Sequence, residues 1–148
     1  VAERIDIPSQ WKAVVAIPDF ELHTEKARAV LPASYVRSDV VHNIGAVSFL
    51  MAAFMYNKPE YLKFGLDDHV HVPYRLGLIP GSEEVIRSSV KAGAYGATIS
   101  GSGPTIIAFS PSDKAHLVGE SMVSTFKHHG ITSSYIVLDF DQSGISAV

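Results

Sequence analysis

The sequence predicts an α+β fold of the ferredoxin-like, split βαβ kind, with a four-stranded antiparallel sheet and helices mainly on one face. Three observations lead there. Two stiff apolar runs, Tyr95–Ile99 and Thr105–Phe109, flank the bare segment Ser100-Gly101-Ser102-Gly103. Strands joined by so tight a connection are antiparallel neighbours. A further strand-like run stands near each end of the chain, Lys12–Ile17 and Tyr135–Leu138, and helical patterns fill the intervals. Strand–helix–strand connections in this order bring the helices to one face.

The first strand, within "WKAVVAIPDF", is ended by Pro18. "LHTEKARAVLP" then reads as a short helix. Thr24 is placed to accept the first free backbone N–H groups, Glu25 suits the positive end, and Pro32 terminates it. "RSDVVHNIGAVSFLMAAFMYNKP" reads as a longer helix capped by Ser38 and broken at Asn57–Pro59. Val40, Ile44, Val47, Met51 and Phe54 keep helical spacing, and its other faces are apolar too, so burial on several sides is expected. Glu60–Arg75 looks helical but interrupted at Gly65 and Pro73. "PGSEEVIRSSVKAG" is an amphipathic helix with Ser82 as N-cap and Gly93 as C-cap. Asp113–His129 carries Ala115, Val118, Met122 and Phe126 on one face and closes at Gly130.

The chain has 148 residues, which fits one domain. Nearly half of it is apolar (47%) and 18% is charged, a folded composition without disorder signals. A net charge of −3 gives no broad positive field for nucleic acid and no polybasic membrane patch. There is no cysteine, so disulfides and thiolate metal sites are excluded, and a cytoplasmic setting is the default expectation. The longest apolar run, Val40–Tyr56, is interrupted by His42, Asn43 and Ser48 and falls short of the roughly 20 residues of a membrane span. A buried core helix is the expectation. The chain opens on Val1 without a signal-peptide pattern, which suggests part of a longer protein.

Candidate chemistry is sparse. In the loop, glycines at 101 and 103 allow positive φ and close backbone approach, and consecutive bare N–H groups can form an anion-binding nest. Gly-Ser-Gly is also an ordinary hairpin connection. It is not a phosphate loop of the Walker kind, since no Lys-Ser/Thr follows, nor a dinucleotide fingerprint, since a strand follows it. Thr24 and Arg28 lie one helical turn apart, so a hydroxyl and a guanidinium could share a small carboxylate or phosphate. A cap beside a solvated arginine is the plainer account. Arg75, in "VHVPYRLGLIPG", is by itself a loop arginine. The histidines show no HExxH spacing, and His69 and His71 would diverge on a helix. His128-His129 reads as a contact with a helix C-terminus, and Asp67-Asp68 as a helix start. No nucleophile–base pair and no metal site is evident.

Taken together, "HTEKARAVLP", "SDVVHN", "DDHVHVPYRLGLIPG" and "GAYGATISGSGPTIIAF" resemble the C-terminal domain of the homoserine kinases, in the GHMP kinase superfamily. The likeness covers about residues 12–140. "ISGSGPT" points to the superfamily; "TxxxARxxLP" with "PYRxxLIPG" narrows it to homoserine kinases.

The resemblance implies a reading of the loop. Ser100, Gly101, Ser102 and Gly103 would be the third motif of the family, packing near the phosphate loop of the other domain and shaping the cleft. It places Thr24, Arg28 and Arg75 on the amino-acid side of the site, with two guanidiniums for the substrate's α-carboxylate. The phosphate loop, of the P-x-x-x-G-L-G-S-S-A-A type, is absent from this sequence. The expectation is therefore that residues 1–148 are the C-terminal domain, and that an N-terminal domain carrying most of the contacts to ATP and Mg²⁺ is its partner. The implied activity of the whole is transfer of the ATP γ-phosphate to the hydroxyl of L-homoserine, in threonine biosynthesis. No catalytic residue is assigned to this half, and it is expected to be inactive alone. No nucleic acid or membrane partner is expected, and a homodimer is left open. The alternatives are a stand-alone small-molecule-binding or regulatory module, or a fragment of another GHMP kinase.

Overall fold

The computed structural model describes residues 4–144. Its elements in chain order are β1 (Trp11–Pro18), α1 (Thr24–Ala29), α2 (Arg37–Met55), α3 (Leu62–Gly65), α4 (Val72–Arg75), α5 (Ser82–Lys91), β2 (Gly96–Ile99), β3 (Ile106–Pro111), α6 (Ala115–His128) and β4 (Ser133–Leu138). Short 3₁₀ turns at Pro59–Tyr61, Leu76–Leu78 and Ser112–Lys114 join them. The four strands form one antiparallel sheet in the order β2-β3-β1-β4. This is the split βαβ arrangement expected from the sequence, with β1 and β3 central.

Register places Val14 opposite both Ala108 and Val137, so the even positions of β1 and β3 share one face. That face is covered by α5 and α6, and it holds the main core: Val14, Ala16, Ile99, Ile106 and Ala108 against Val85, Val118, Met122 and Phe126. α6 turns the predicted Ala115, Val118, Met122 and Phe126 stripe inward, because 3.6-residue periodicity aligns them. The other face is covered at one end. There Trp11 is buried with Ala53 and Leu62, and Phe54, Tyr95, Phe109 and Phe140 pack around it. The Trp11 Nε1–H donates to Asn57 Oδ1 at 2.9 Å, fixing the end of α2, where Asn57 takes φ 52°.

Several local expectations need correction. None of the three hydroxyl residues read as N-caps is one. Thr24 is the first helical residue of α1 behind His23, Ser38 lies inside the first turn of α2 behind Val36, and Ser82 follows the true cap, Gly81. Two of these hydroxyls have competing partners: that of Ser82 donates to Leu76 O (3.0 Å), and that of Thr24 turns toward Ser102. Pro73 starts a helix rather than interrupting one, as a proline can in the first turn. Asp68 does prepare that helix: its carboxylate accepts the N–H groups of Val70, His71 and Val72.

The largest departure is α2. It is not a buried core helix. Only Ala46 and Ala53 are buried, while Val41 (58%), Ile44 (65%) and Val47 (58%) stand exposed along with Val40 and Met51. Helical periodicity reports an apolar surface, not what covers it. With 19 residues, α2 is also long and apolar enough, by length and composition alone, to pass as a membrane span. Its C-terminal half instead packs against the Trp11 cluster through Leu50, Ala53 and Phe54.

Candidate functional site

A cleft of about 630 Å³ opens between α1, α2, the segment leading into α4, and the loop joining β2 to β3. Five of the seven residues singled out from the sequence line it: Thr24, Arg28, Arg75, Gly101 and Ser102. Ser100 and Gly103 do not line it. Ser100 donates its N–H to Thr105 O (2.8 Å), and its carbonyl accepts the Gly103 N–H (3.0 Å), which closes the turn.

The two loop glycines do different things. Both have positive φ, 59° at Gly101 and 82° at Gly103. A Cβ on Gly101 would meet no atom within 4 Å, so that residue stands in open space on the cleft wall. A Cβ on Gly103 would lie 2.7 Å from Ile79 Cδ1 and 3.3 Å from Ile99 Cγ2. Those are core side chains, so the space Gly103 leaves is used behind the loop, by the hydrophobic core.

Arg75 ends the one-turn helix α4 and reaches across the cleft floor. Its Nε donates to Ala27 O (3.2 Å) and its Nη1 to Gly101 O (3.0 Å). The guanidinium therefore ties α1 to the loop while its remaining N–H donors stay available for a ligand. Arg28 projects from α1 and is exposed. The Thr24 hydroxyl lies 3.4 Å from the Ser102 hydroxyl, a second bridge between the same two elements. Two permanent cations, two hydroxyls and a glycine backbone thus share one cleft, a donor set suited to a small carboxylate or phosphate.

Sequence patterns alone gave no site role to Asn43, Asp68 and His71, which also line the cleft. Asn43 Nδ2 donates to Asp68 Oδ1 (2.8 Å), and Asn43 Oδ1 accepts the His69 N–H (2.8 Å). This latch holds the 67–72 segment against α2 and so aims α4 and Arg75. Burial pushes the Asp68 carboxyl up. The hydrogen bonds from Asn43 and from the N–H groups of Val70, Val72 and His71 outweigh that together and hold it below its ordinary 3.8. The signal for these residues was present in "SDVVHN" and "DDHVHVPYR", where it marked likeness to a family without assigning a contact.

Known proteins agree with this architecture. The sequence model of the family described as GHMP kinases C terminal matches residues 59–128. The homoserine kinase of Desulfitobacterium hafniense is 38% identical over 148 residues, which is 100% of this chain and 50% of that protein. The homoserine kinase of Carboxydothermus hydrogenoformans is 45% identical over 141 residues, covering 95% of this chain and 45% of that one. The crystal structure of homoserine kinase from Cytophaga hutchinsonii superimposes with a TM-score of 0.90 at 33% identity, over 95% of this chain and 45% of that one. The chain therefore belongs to the GHMP kinases and carries their C-terminal fold. Within that family it is homologous to the C-terminal half of homoserine kinases. It spans about half the length of the curated relatives it matches.

Proposed function

We propose that this chain is the substrate-side half of an enzyme that transfers the γ-phosphate of ATP to the hydroxyl of L-homoserine, in threonine biosynthesis in the cytoplasm. The observation that carries the reading is the meeting of Arg28, Arg75, Thr24 and Ser102 in one cleft, from segments far apart in sequence. The α-carboxylate of homoserine is a planar anion, and a guanidinium meets it with paired N–H donors. Arg75, braced by Ala27 O and Gly101 O, fixes where the carboxylate sits; Arg28 closes over it from α1. Thr24 and Ser102 offer hydroxyls that donate to the same anion or accept from the substrate ammonium. Anchoring one end of a small substrate positions its hydroxyl at the other, and positioning supplies much of the catalysis in phosphoryl transfer.

The described residues do not themselves fit ATP or Mg²⁺. The carboxylate in the cleft is Asp68, and its oxygens are already taken by Asn43 and three backbone N–H groups. Mg²⁺ needs free hard-oxygen ligands and usually substrate phosphates. No phosphate loop occurs in the sequence. Both groups are therefore assigned to the half of the protein not in this chain. Residues 1–148 are read as the C-terminal domain, and the same missing half is the proposed cover for the exposed apolar face of α2. Burial of Val41, Ile44 and Val47 against a second domain would offset the cost of leaving them in water, about 25 cal/mol per Å².

The test uses the 148-residue chain and the longer protein that contains it, each with ATP, Mg²⁺ and L-homoserine. The longer protein should form O-phosphohomoserine and the isolated chain should not. Robust turnover by the isolated chain would contradict the division of labour.

A further inference from the structure

His42, Asp67 and His69 bring their ligand atoms within 4.8 Å of one another. The two imidazoles stack at 3.8 Å between centroids and 16° between planes. Each turns its Nε2 to the same carboxylate: His42 Nε2 is 3.1 Å from Asp67 Oδ2 and also 3.1 Å from the Asp67 carbonyl oxygen, a contact that a metal ion would replace, and His69 Nε2 is 3.7 Å from Asp67 Oδ1. On its other side, His69 Nδ1 lies 3.5 Å from Asp39 Oδ1. A carboxylate there accepts the Nδ1 proton and leaves the Nε2 lone pair free, the arrangement that orients metal-bound histidines.

We propose that these three side chains form a binding site for a divalent transition-metal ion of the zinc class, beside the substrate cleft and distinct from the metal of phosphoryl transfer. Two imidazole nitrogens and one carboxylate oxygen suit Zn²⁺, Co²⁺ or Ni²⁺, whereas Mg²⁺ selects an octahedron of oxygens. With metal–ligand bonds of about 2.0–2.2 Å, tetrahedral donors lie about 3.3 Å apart. The two imidazole–carboxylate separations, 3.1 and 3.7 Å, bracket that value, and all the donor atoms lie within 4.8 Å; closing the site requires the stacked rings to splay apart so that both Nε2 atoms converge on the ion. The framework is held in advance. Asp39 and His42 stand on the first turns of α2, and Asp67 and His69 flank Asp68, which Asn43 latches to the same helix. Half-exposed ligands leave a path for the ion and a position for water. A bound ion would join α2 directly to the segment that leads into α4 and Arg75, stiffening that wall of the cleft.

The experiment is a Co²⁺ titration of the tag-free chain followed by visible absorption, with Zn²⁺ competition and Mg²⁺ as control. The expected result is one equivalent of Co²⁺ with a tetrahedral spectrum, displaced by Zn²⁺ and not by excess Mg²⁺. Asp39→Asn should weaken binding by roughly 10- to 100-fold, the usual cost of losing an outer-shell partner. His42→Phe, which keeps the stacked ring, and His69→Ala should each weaken it further. His128→Ala, on α6, should leave it unchanged. Circular dichroism checks that each variant is folded. Absence of saturable Co²⁺ or Zn²⁺ binding to the unaltered chain would overturn the proposal, and so would binding that survives His42→Phe combined with His69→Ala.

Discussion

Arg75 and Arg28 differ in a way that their spacing in sequence hides. Arg75 has two backbone carbonyls to hold, Ala27 O and Gly101 O, and so serves the shape of the cleft as well as its charge. Arg28 is exposed. Asp68 is a third kind of residue, a carboxylate that touches the cleft but whose oxygens face inward to Asn43 and the backbone. Replacing it by Ala should cost about 1–3 kcal/mol, because the N–H groups it satisfies are left without a partner. Its pH dependence has a definite sign. The folded carboxyl titrates below its ordinary 3.8, so its stabilisation is present above 3.8 and is lost as pH falls through the folded value. Urea midpoints measured from neutral pH down into this range should fall for the unaltered chain. They should fall less steeply for Asp68→Asn, and equal slopes would show that the Asp68 contacts carry no such weight.

At the scale of elements, the strands and the antiparallel pairing were legible because stiff apolar runs joined by a tight loop leave little freedom. The caps were not. Thr24, Ser38 and Ser82 each had the right residue type, but a hydroxyl takes whichever partner the tertiary fold brings, and Thr24 meets Ser102 from across the chain. The cleft residues were legible only through family likeness, since nothing local in Thr24, Arg28 and Arg75 shows that they converge. The pairing of His42 with Asp67 joins residues 25 apart, beyond any periodic signal. The loop glycines illustrate the same limit: sequence gives both the same freedom to make room in the cleft, and Gly103 makes room in the core instead. Gly103→Val should therefore lower the melting temperature strongly, by collision with Ile79 and strain at φ 82°. Gly101→Val should leave the chain folded, with a modest loss from strain, and should reduce turnover in the longer protein. If both variants melt alike, the two glycines do not divide their roles in this way.

At the scale of the molecule, the proposed second domain would connect two observations, the exposed apolar side of α2 and the half-length match to relatives. Sequence patterns showed an apolar helix, and only the fold showed that the described residues leave one side of it exposed. Ile44→Lys, at 65% exposure, should change the stability of the isolated chain by no more than about 0.5 kcal/mol. If the uncovered face makes the isolated chain self-associate, the same change should reduce that association in analytical ultracentrifugation, and it should destabilise the longer protein if a second domain covers that surface. Destabilisation of the isolated chain would show that α2 is already covered there. The central claim, that the cleft receives the carboxylate of homoserine, is tested most directly by steady-state kinetics of the longer protein carrying Arg28→Ala. Loss of a charge-assisted contact of about 1.5–3 kcal/mol should lower kcat/KM for homoserine by about tenfold to more than a hundredfold. The KM for ATP should stay unchanged. Equal losses for both substrates, or none for homoserine, would contradict the account.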